Sequence, residues 1–242
     1  MSLDKLDRVL VEELRAKVAT GCRIIAKMGL ADYLGHISAR IPGTNYALIK
    51  ASGLLMGNLL TTTPDRIVLV DINEAKLVEG VHRIPIETVI HTEIYRVRPD
   101  VNCVVHDHQH YATAVAAAGK DVLPMLGVMA KPVARPLPVY PRACLIVTQE
   151  MAADMAKVMG DYPGIHLQNH GIVMTGSSVE EAVVNTIWLE IQAKVTYMSY
   201  AMGCPAPARQ NEEDLYLNTK GGKVEDRWAY YCSLLDLPYV QL

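Results

Sequence analysis

Pro85 to Tyr111 reads PIETVIHTEIYRVRPDVNCVVHDHQHY. Proline suits a helix start and Arg98-Pro99-Asp100 supplies a stop, so the spacing predicts a helix over 85–98. Val101 to His106 is β-branched and alternating, which predicts a strand that ends at the histidines. Tyr111 to Ala118 reads as the next helix. Helix, strand and helix in close succession are the signature of a layered α/β fold.

The rest of the chain extends that pattern. Apolar residues recur at helical spacing from Asp4 to Met28, as one helix or two meeting near Gly21. Gly35 to Arg40, Tyr46 to Lys50 and Ile67 to Asp71 are short β-branched runs separated by Pro42-Gly43, Ser52-Gly53 and Thr63-Pro64, which predicts strands and turns. Cys144 to Val147 and Ile165 to Gln168 read as further strands, and Val179 to Met202 as a long helix. Met151, Met155 and Met159 fall at i,i+4 spacing and read as helix-core packing, as against an adaptable pocket shared with Met125 and Met129. We expect one three-layer α/β domain over 1–242, with a central mixed or antiparallel sheet flanked by helices. Its core spans about 6–202, and a mobile tail precedes a short helix at Asp226 to Leu235.

Composition excludes several classes. The 242 residues carry 23 basic and 26 acidic side chains, a formal charge of −3 with no long basic run, which argues against a nucleic-acid partner. No stretch approaches the roughly 18 consecutive apolar residues of a membrane span. The first residues are charged throughout, unlike a signal peptide, so a cytoplasmic location is expected. Five scattered cysteines without a CxxC pair argue for reduced thiols.

On a strand, residues i and i+2 share a face, so His106 and His108 can present two imidazoles side by side. Imidazole is a common ligand for divalent metals, and a catalytic site needs a third donor and an open position. His170 in LQNHGIVMTG is the best candidate, because Gly171 beside it permits a close approach. His110 continues the alternation but reads as solvated or supporting, and Asp107 as either a surface carboxylate or an orienting partner.

GHISARIPG (35–43), ASG (51–53), IETVIHTEIYRVRPDVNCVVHDH (86–108) and QNHGIVMTG (168–176) resemble, in order and spacing, the class II aldolase/adducin family. The resemblance spans about Leu6 to Met202. It implies that His106, His108 and His170 hold one divalent cation per subunit, Zn2+ or Mn2+ first, with Co2+ or Fe2+ also accepting imidazole. It further implies that Glu87 serves as general acid/base or extra ligand, and that the chain forms a homotetramer with sites at subunit interfaces. His36, Ser52 and Gly53 fall where family members contact substrate. Tyr111 corresponds either to the tyrosine that family aldolases use as proton donor or to a helix-start aromatic in the core.

The departures matter as much. Where sugar-phosphate aldolases carry an Asn and a Ser-Ser pair for the phosphate, this chain has His36 and Pro85-Ile86. Proline has no N–H and isoleucine no hydroxyl, so a phosphorylated sugar is disfavoured. The GHIS form and the EXXXHTEIYRXRPDV stretch instead resemble family decarboxylases of hydroxylated aromatic or ring-derived acids. Glu87 and His91, one helical turn apart, are the expected proton donors, each titrating near neutrality if partly buried. Arg40 reads as structural or as a carboxylate ligand. The expected function is therefore a lyase that breaks a carbon–carbon bond through a metal-stabilised enolate, most simply by decarboxylating a small-molecule carboxylate. The alternatives are aldol cleavage or epimerisation of an unphosphorylated hydroxy-carbonyl compound, and an adducin-like scaffold without catalysis.

Overall fold

The computed structural model describes residues 6–52, 58–203 and 222–237. In chain order the elements are α1 (Arg8–Lys27), β1 (His36–Arg40), β2 (Tyr46–Lys50), β3 (Ile67–Asp71), β4 (Lys76–Glu79), α2 (Thr88–Val97), β5 (Cys103–Asp107), α3 (His110–Ala117), β6 (Val139–Tyr140), α4 (Gln149–Met159), β7 (Gly164–Leu167), β8 (Gly171–Gly176), α5 (Val179–Ala201) and α6 (Val224–Ser233). The strands form one eight-stranded sheet in the order β4-β3-β2-β1-β5-β8-β7-β6. Among the described strands only β6 and β7 pair in parallel, so the sheet is mixed.

Strand alternation sorts side chains onto two helical layers. Cys103 and Val105 of β5 pack with α1, α5 and α6, whereas Val104 packs with α2 and α4 on the other face. The result is the three-layer domain expected, and none of its described helices is long and apolar enough to cross a membrane. Helix starts follow their capping chemistry: Asp7 accepts from Val9 and Leu10, Thr148 from Met151, and Ser178 from Glu181. Helix α1 runs unbroken through Gly21.

Arg40 is structural. Its guanidinium donates to the carbonyls of Tyr95, Arg98 and Val101, tying the C-terminal turn of α2 to the sheet. Met155 and Met159 are core residues of α4, while Met129 packs in the opposite layer, so the methionines line no common pocket.

Three expectations need correction. Cys144 to Val147 is not a strand, because the backbone N–H of Ile146 is used by the Glu87 carboxylate rather than by a neighbouring strand. The helix expected from Pro85 starts at Thr88, and Pro85 and Glu87 lie ahead of its first turn. Strands β4, β6 and β8 were not legible as strands, although β8 is central and wholly buried. The tail expected to be mobile falls largely on 204–221, outside the described residues.

Candidate functional site

At the end of the sheet where β5 stops, register brings histidines together. His36 opens β1 directly opposite His106 in the antiparallel pairing, and His106 shares the α2 face of β5 with Val104. The strand ends at Asp107, so His108 follows in the first residue of the loop. His170 sits in the turn between β7 and β8, whose pairing with β5 runs Asp107 opposite Ile172. That turn approaches closely: a side chain at Gly171 would collide with the carbonyl oxygen of Asp107 and lie 2.9 Å from the His108 ring.

The three imidazoles form a near-equilateral cluster, with ring centroids 5.1 Å (His106–His108), 5.0 Å (His106–His170) and 5.1 Å (His108–His170) apart. Candidate ligand atoms of all three lie within 4.8 Å of one another. Nδ1 of His106 is 2.8 Å from the carbonyl oxygen of Ile172. A carbonyl only accepts, so Nδ1 carries the proton, and the neutral ring turns a lone pair at Nε2 toward the cluster. Nε2 of His106, Nε2 of His108 and both ring nitrogens of His170 are buried without a hydrogen-bond partner.

Glu87, at the start of α2, completes the arrangement. Its Oε1 accepts from the N–H of Ile146, while Oε2 lies 3.5 Å from Nε2 of His106 and 3.6 Å from Nε2 of His170. With the proton of His106 on Nδ1, its Nε2 and the Glu87 carboxylate face each other as acceptors, and buried acceptors of this kind call for a cation. The donor set therefore fits a divalent metal, with imidazole ligands suited to zinc, manganese, cobalt or iron.

Burial governs the protonation states. It pushes the His108 imidazole down to about 4 and the His91 imidazole down to about 3, with neighbouring His106 adding to both shifts. His36 and His170 are lowered for the same first reason. Burial alone would raise the Glu87 carboxyl, but His106, His170 and the Ile146 N–H outweigh it and hold it below its ordinary range. His91 is lowered first by burial and then by His106, while His106, the Ile146 N–H and His170 lower Glu87 against its burial.

A cavity of about 320 Å³ opens beside the cluster. Its polar lining includes His36, Ser52, Glu87 and His108, and its walls include Leu34, Pro85, Ile86 and Leu145. Of the other expected site residues, His91 is buried on α2, and both its ring nitrogens are engaged, by Ser38 and by His36. Tyr111 is not at this cavity: its ring packs against Tyr197 and under Lys194, while its backbone N–H is capped by Glu190. Gly53 lies outside the described residues. His110 is exposed at the start of α3, and Asp107 is fully buried, its carboxyl pushed well up by burial. Sequence reasoning missed Ser38, Tyr95 and Lys50; the alternation of β1 puts Ser38 on the face of His36, the one signal available for it.

Residues 16–197 match the family described as Class II Aldolase and Adducin N-terminal domain. The chain is 38% identical to 3,4-dihydroxyphthalate decarboxylase of Arthrobacter keyseri, over 89% of this chain and 90% of that protein. It is 35% identical to 3,4-dihydroxyphthalate decarboxylase of Terrabacter sp. (strain DBF63), over 83% and 87% of the two. Among solved structures, an aldolase II superfamily protein from Pseudomonas syringae superposes with a TM-score of 0.79 at 24% identity, covering 96% of this chain and 95% of that one.

Proposed function

The chain belongs to the class II aldolase and adducin family, and we propose that it is a metal-dependent decarboxylase of a hydroxylated aromatic or ring-derived carboxylic acid. One observation carries the reading: three clustered imidazoles with unpartnered nitrogens meet a carboxylate, and His108 and Glu87 of that cluster line a cavity whose walls at Pro85 and Ile86 offer no side-chain donors for a phosphate. Relatives named as decarboxylases of a dihydroxylated aromatic acid support it.

His106, His108 and His170 would hold the cation, with zinc or manganese the first choice. When bound, it supplies a Lewis acid for the charge that develops on substrate oxygen as the carbon–carbon bond breaks. Leu34, Pro85, Ile86 and Leu145 form an apolar slot for the ring and exclude water from it. Glu87 enters the reaction as a carboxylate. Oε2 takes the proton of the substrate hydroxyl and delivers it to the ring carbon that bears the carboxylate; the carbon–carbon bond then breaks, and its electron pair returns through the ring to the oxygen as carbon dioxide leaves.

His36 contacts substrate through Nε2, and Ser52 offers a hydroxyl at the same cavity. His91 does not reach the cavity and acts through His36, to which it is hydrogen-bonded. Tyr111 would serve only a cavity formed with a neighbouring copy. The homotetramer with sites at subunit interfaces remains part of the proposal, supported by the exposed apolar residues Tyr33, Leu34 and Leu145 at the cavity rim. The free thiols of Cys22, Cys103, Cys144 and Cys232 suit the reducing cytoplasm.

The test is carbon dioxide release from 3,4-dihydroxyphthalate and related hydroxylated acids by the metal-replete protein, with and without chelator. Chelator-sensitive release is expected, and His106→Ala should lose both bound metal and release while keeping its circular dichroism. Silence across the panel with metal bound would transfer the site to aldol cleavage of an unphosphorylated compound.

A further inference from the structure

Lys50 is the last residue of β2 and only 2% exposed, yet it lines the same cavity as the histidines. It is the one lysine or arginine among the described residues of that lining. Its strand position follows Leu48 on the α1 side of the sheet, and its charge is felt both by Cys22 of α1 and by His36.

Other cations held inside the fold have partners. Arg15 bonds to Glu79 and to the carbonyl oxygen of Ile67, and Arg40 to three carbonyls. Among the described residues Lys50 has no hydrogen-bond or ion-pair partner. A buried ammonium without a partner is costly, and burial pulls the Lys50 amine below its ordinary value. The cost is recovered when a ligand brings an anion to it. The nearby Glu87 carboxylate is already taken by the Ile146 N–H and the histidines, so the anion has to come from outside.

We infer that Lys50 binds a second carboxylate of the substrate, the one retained through the reaction, so that the enzyme selects an aromatic dicarboxylate over a monocarboxylate. The inference rests on the decarboxylase reading for the identity of the ligand. A carboxylate suits the site better than a phosphate, since one cation and the Ser52 hydroxyl meet a monoanion's needs but leave a phosphate dianion short of donors. The bland alternative is that Lys50 is a structural cation whose stem fills the end of the strand.

Calorimetric titration with phthalate and with benzoate, in the presence of chelator, separates the two. The wild type should prefer phthalate by about tenfold or more, Lys50→Met should erase that preference while leaving benzoate affinity unchanged, and Lys50→Arg should retain part of it. Thermal melting without ligand should leave Lys50→Met as stable as the wild type or more so, because an unpaired buried charge has been removed. An unchanged phthalate preference in Lys50→Met, or a fall in its melting temperature with phthalate affinity intact, would overturn the inference. If phthalate preference depends on Lys50 while no hydroxylated acid releases carbon dioxide, the carboxylate site stands and the decarboxylase reading falls.

Discussion

Nδ1 of His36 lies 2.7 Å from Nε2 of His91, and Nδ1 of His91 lies 2.7 Å from Oγ of Ser38. Ser38 in turn lies 2.7 Å from the Tyr95 hydroxyl, so four side chains from β1 and α2 form one hydrogen-bonded line that ends at the cavity. The contacts allow either direction; with Tyr95 as first donor, each hydroxyl donates to the next atom and Nε2–H of His91 donates to His36. His36 is then left with a proton on Nε2, facing the substrate.

Ser38→Ala should break that line without disturbing the metal cluster. The variant loses two buried hydrogen bonds, to His91 and to Tyr95, at about 1 kcal/mol of stability each. Turnover should drop about tenfold with little change in KM, because His36 is free to adopt the other tautomer. Nitrogen chemical shifts of the His36 ring report the tautomer directly; an unchanged shift together with unchanged turnover would make the line a packing feature only.

Glu87→Gln tests ligand against acid/base. The glutamine oxygen can still accept from Ile146, so the loop and the start of α2 should hold. If Glu87 carries the proton, metal content stays near one per chain while turnover falls by roughly 10²–10⁴. Metal content falling in step with turnover would make Glu87 a ligand instead.

The histidine triad was legible because two structural rules converge on it: alternate residues share a strand face, and a glycine lets two strands close up. The first placed His106; β5 ends at Asp107, so His108 joins from the loop and not by strand alternation, and the second rule brings His170 and Gly171 up to it. Lys50 was not legible, since a lysine at a strand end in ALIK reads as a solvated terminus until the cavity beside it is seen. GIVMTG was missed as a strand for a related reason: β8 is buried on both faces and shows no alternation. Cys144 to Val147 misled in the opposite direction. Its β-branched residues have strand propensity, but what decides a strand is a partner for its N–H groups, and Ile146 gives its own to Glu87.

His166 on β7 is buried well away from solvent with Nδ1 unpartnered, and desolvation pushes its imidazole down to about 4. Between about 6.5 and 4 the unfolded chain therefore binds a proton that the folded chain refuses, so stability falls as pH falls through that window. The loss attributable to this one group approaches about 3 kcal/mol at the low end and is absent above pH 7. Urea denaturation of wild type and His166→Leu at pH 7 and pH 5 measures it: the variant should show a shallower decline. Parallel declines would show that His166 is already charged when folded.

Gly171→Ala is the most searching test of how the fold builds the centre. An added methyl would collide with the Asp107 carbonyl oxygen and crowd the His108 ring at 2.9 Å, the first belonging to the last residue of β5 and the second to the residue that follows it. The protein can respond by separating β5 from β8 or by turning His108 away. Either response costs about 1–3 kcal/mol of stability, as overpacking usually does. The second also withdraws one imidazole, so metal affinity in competition with a chromophoric chelator should fall at least tenfold, as when a ligand loses its support. Gly164 provides the control: it also faces β8, where an added methyl would meet Met174 and the Val173 carbonyl oxygen, remote from His108. Gly164→Ala should lose stability while keeping its metal affinity, since the cost there is borne by the sheet alone. If both variants keep the metal equally well, His108 is not held by the β5–β8 contact and the ligand set reduces to His106 and His170 with Glu87.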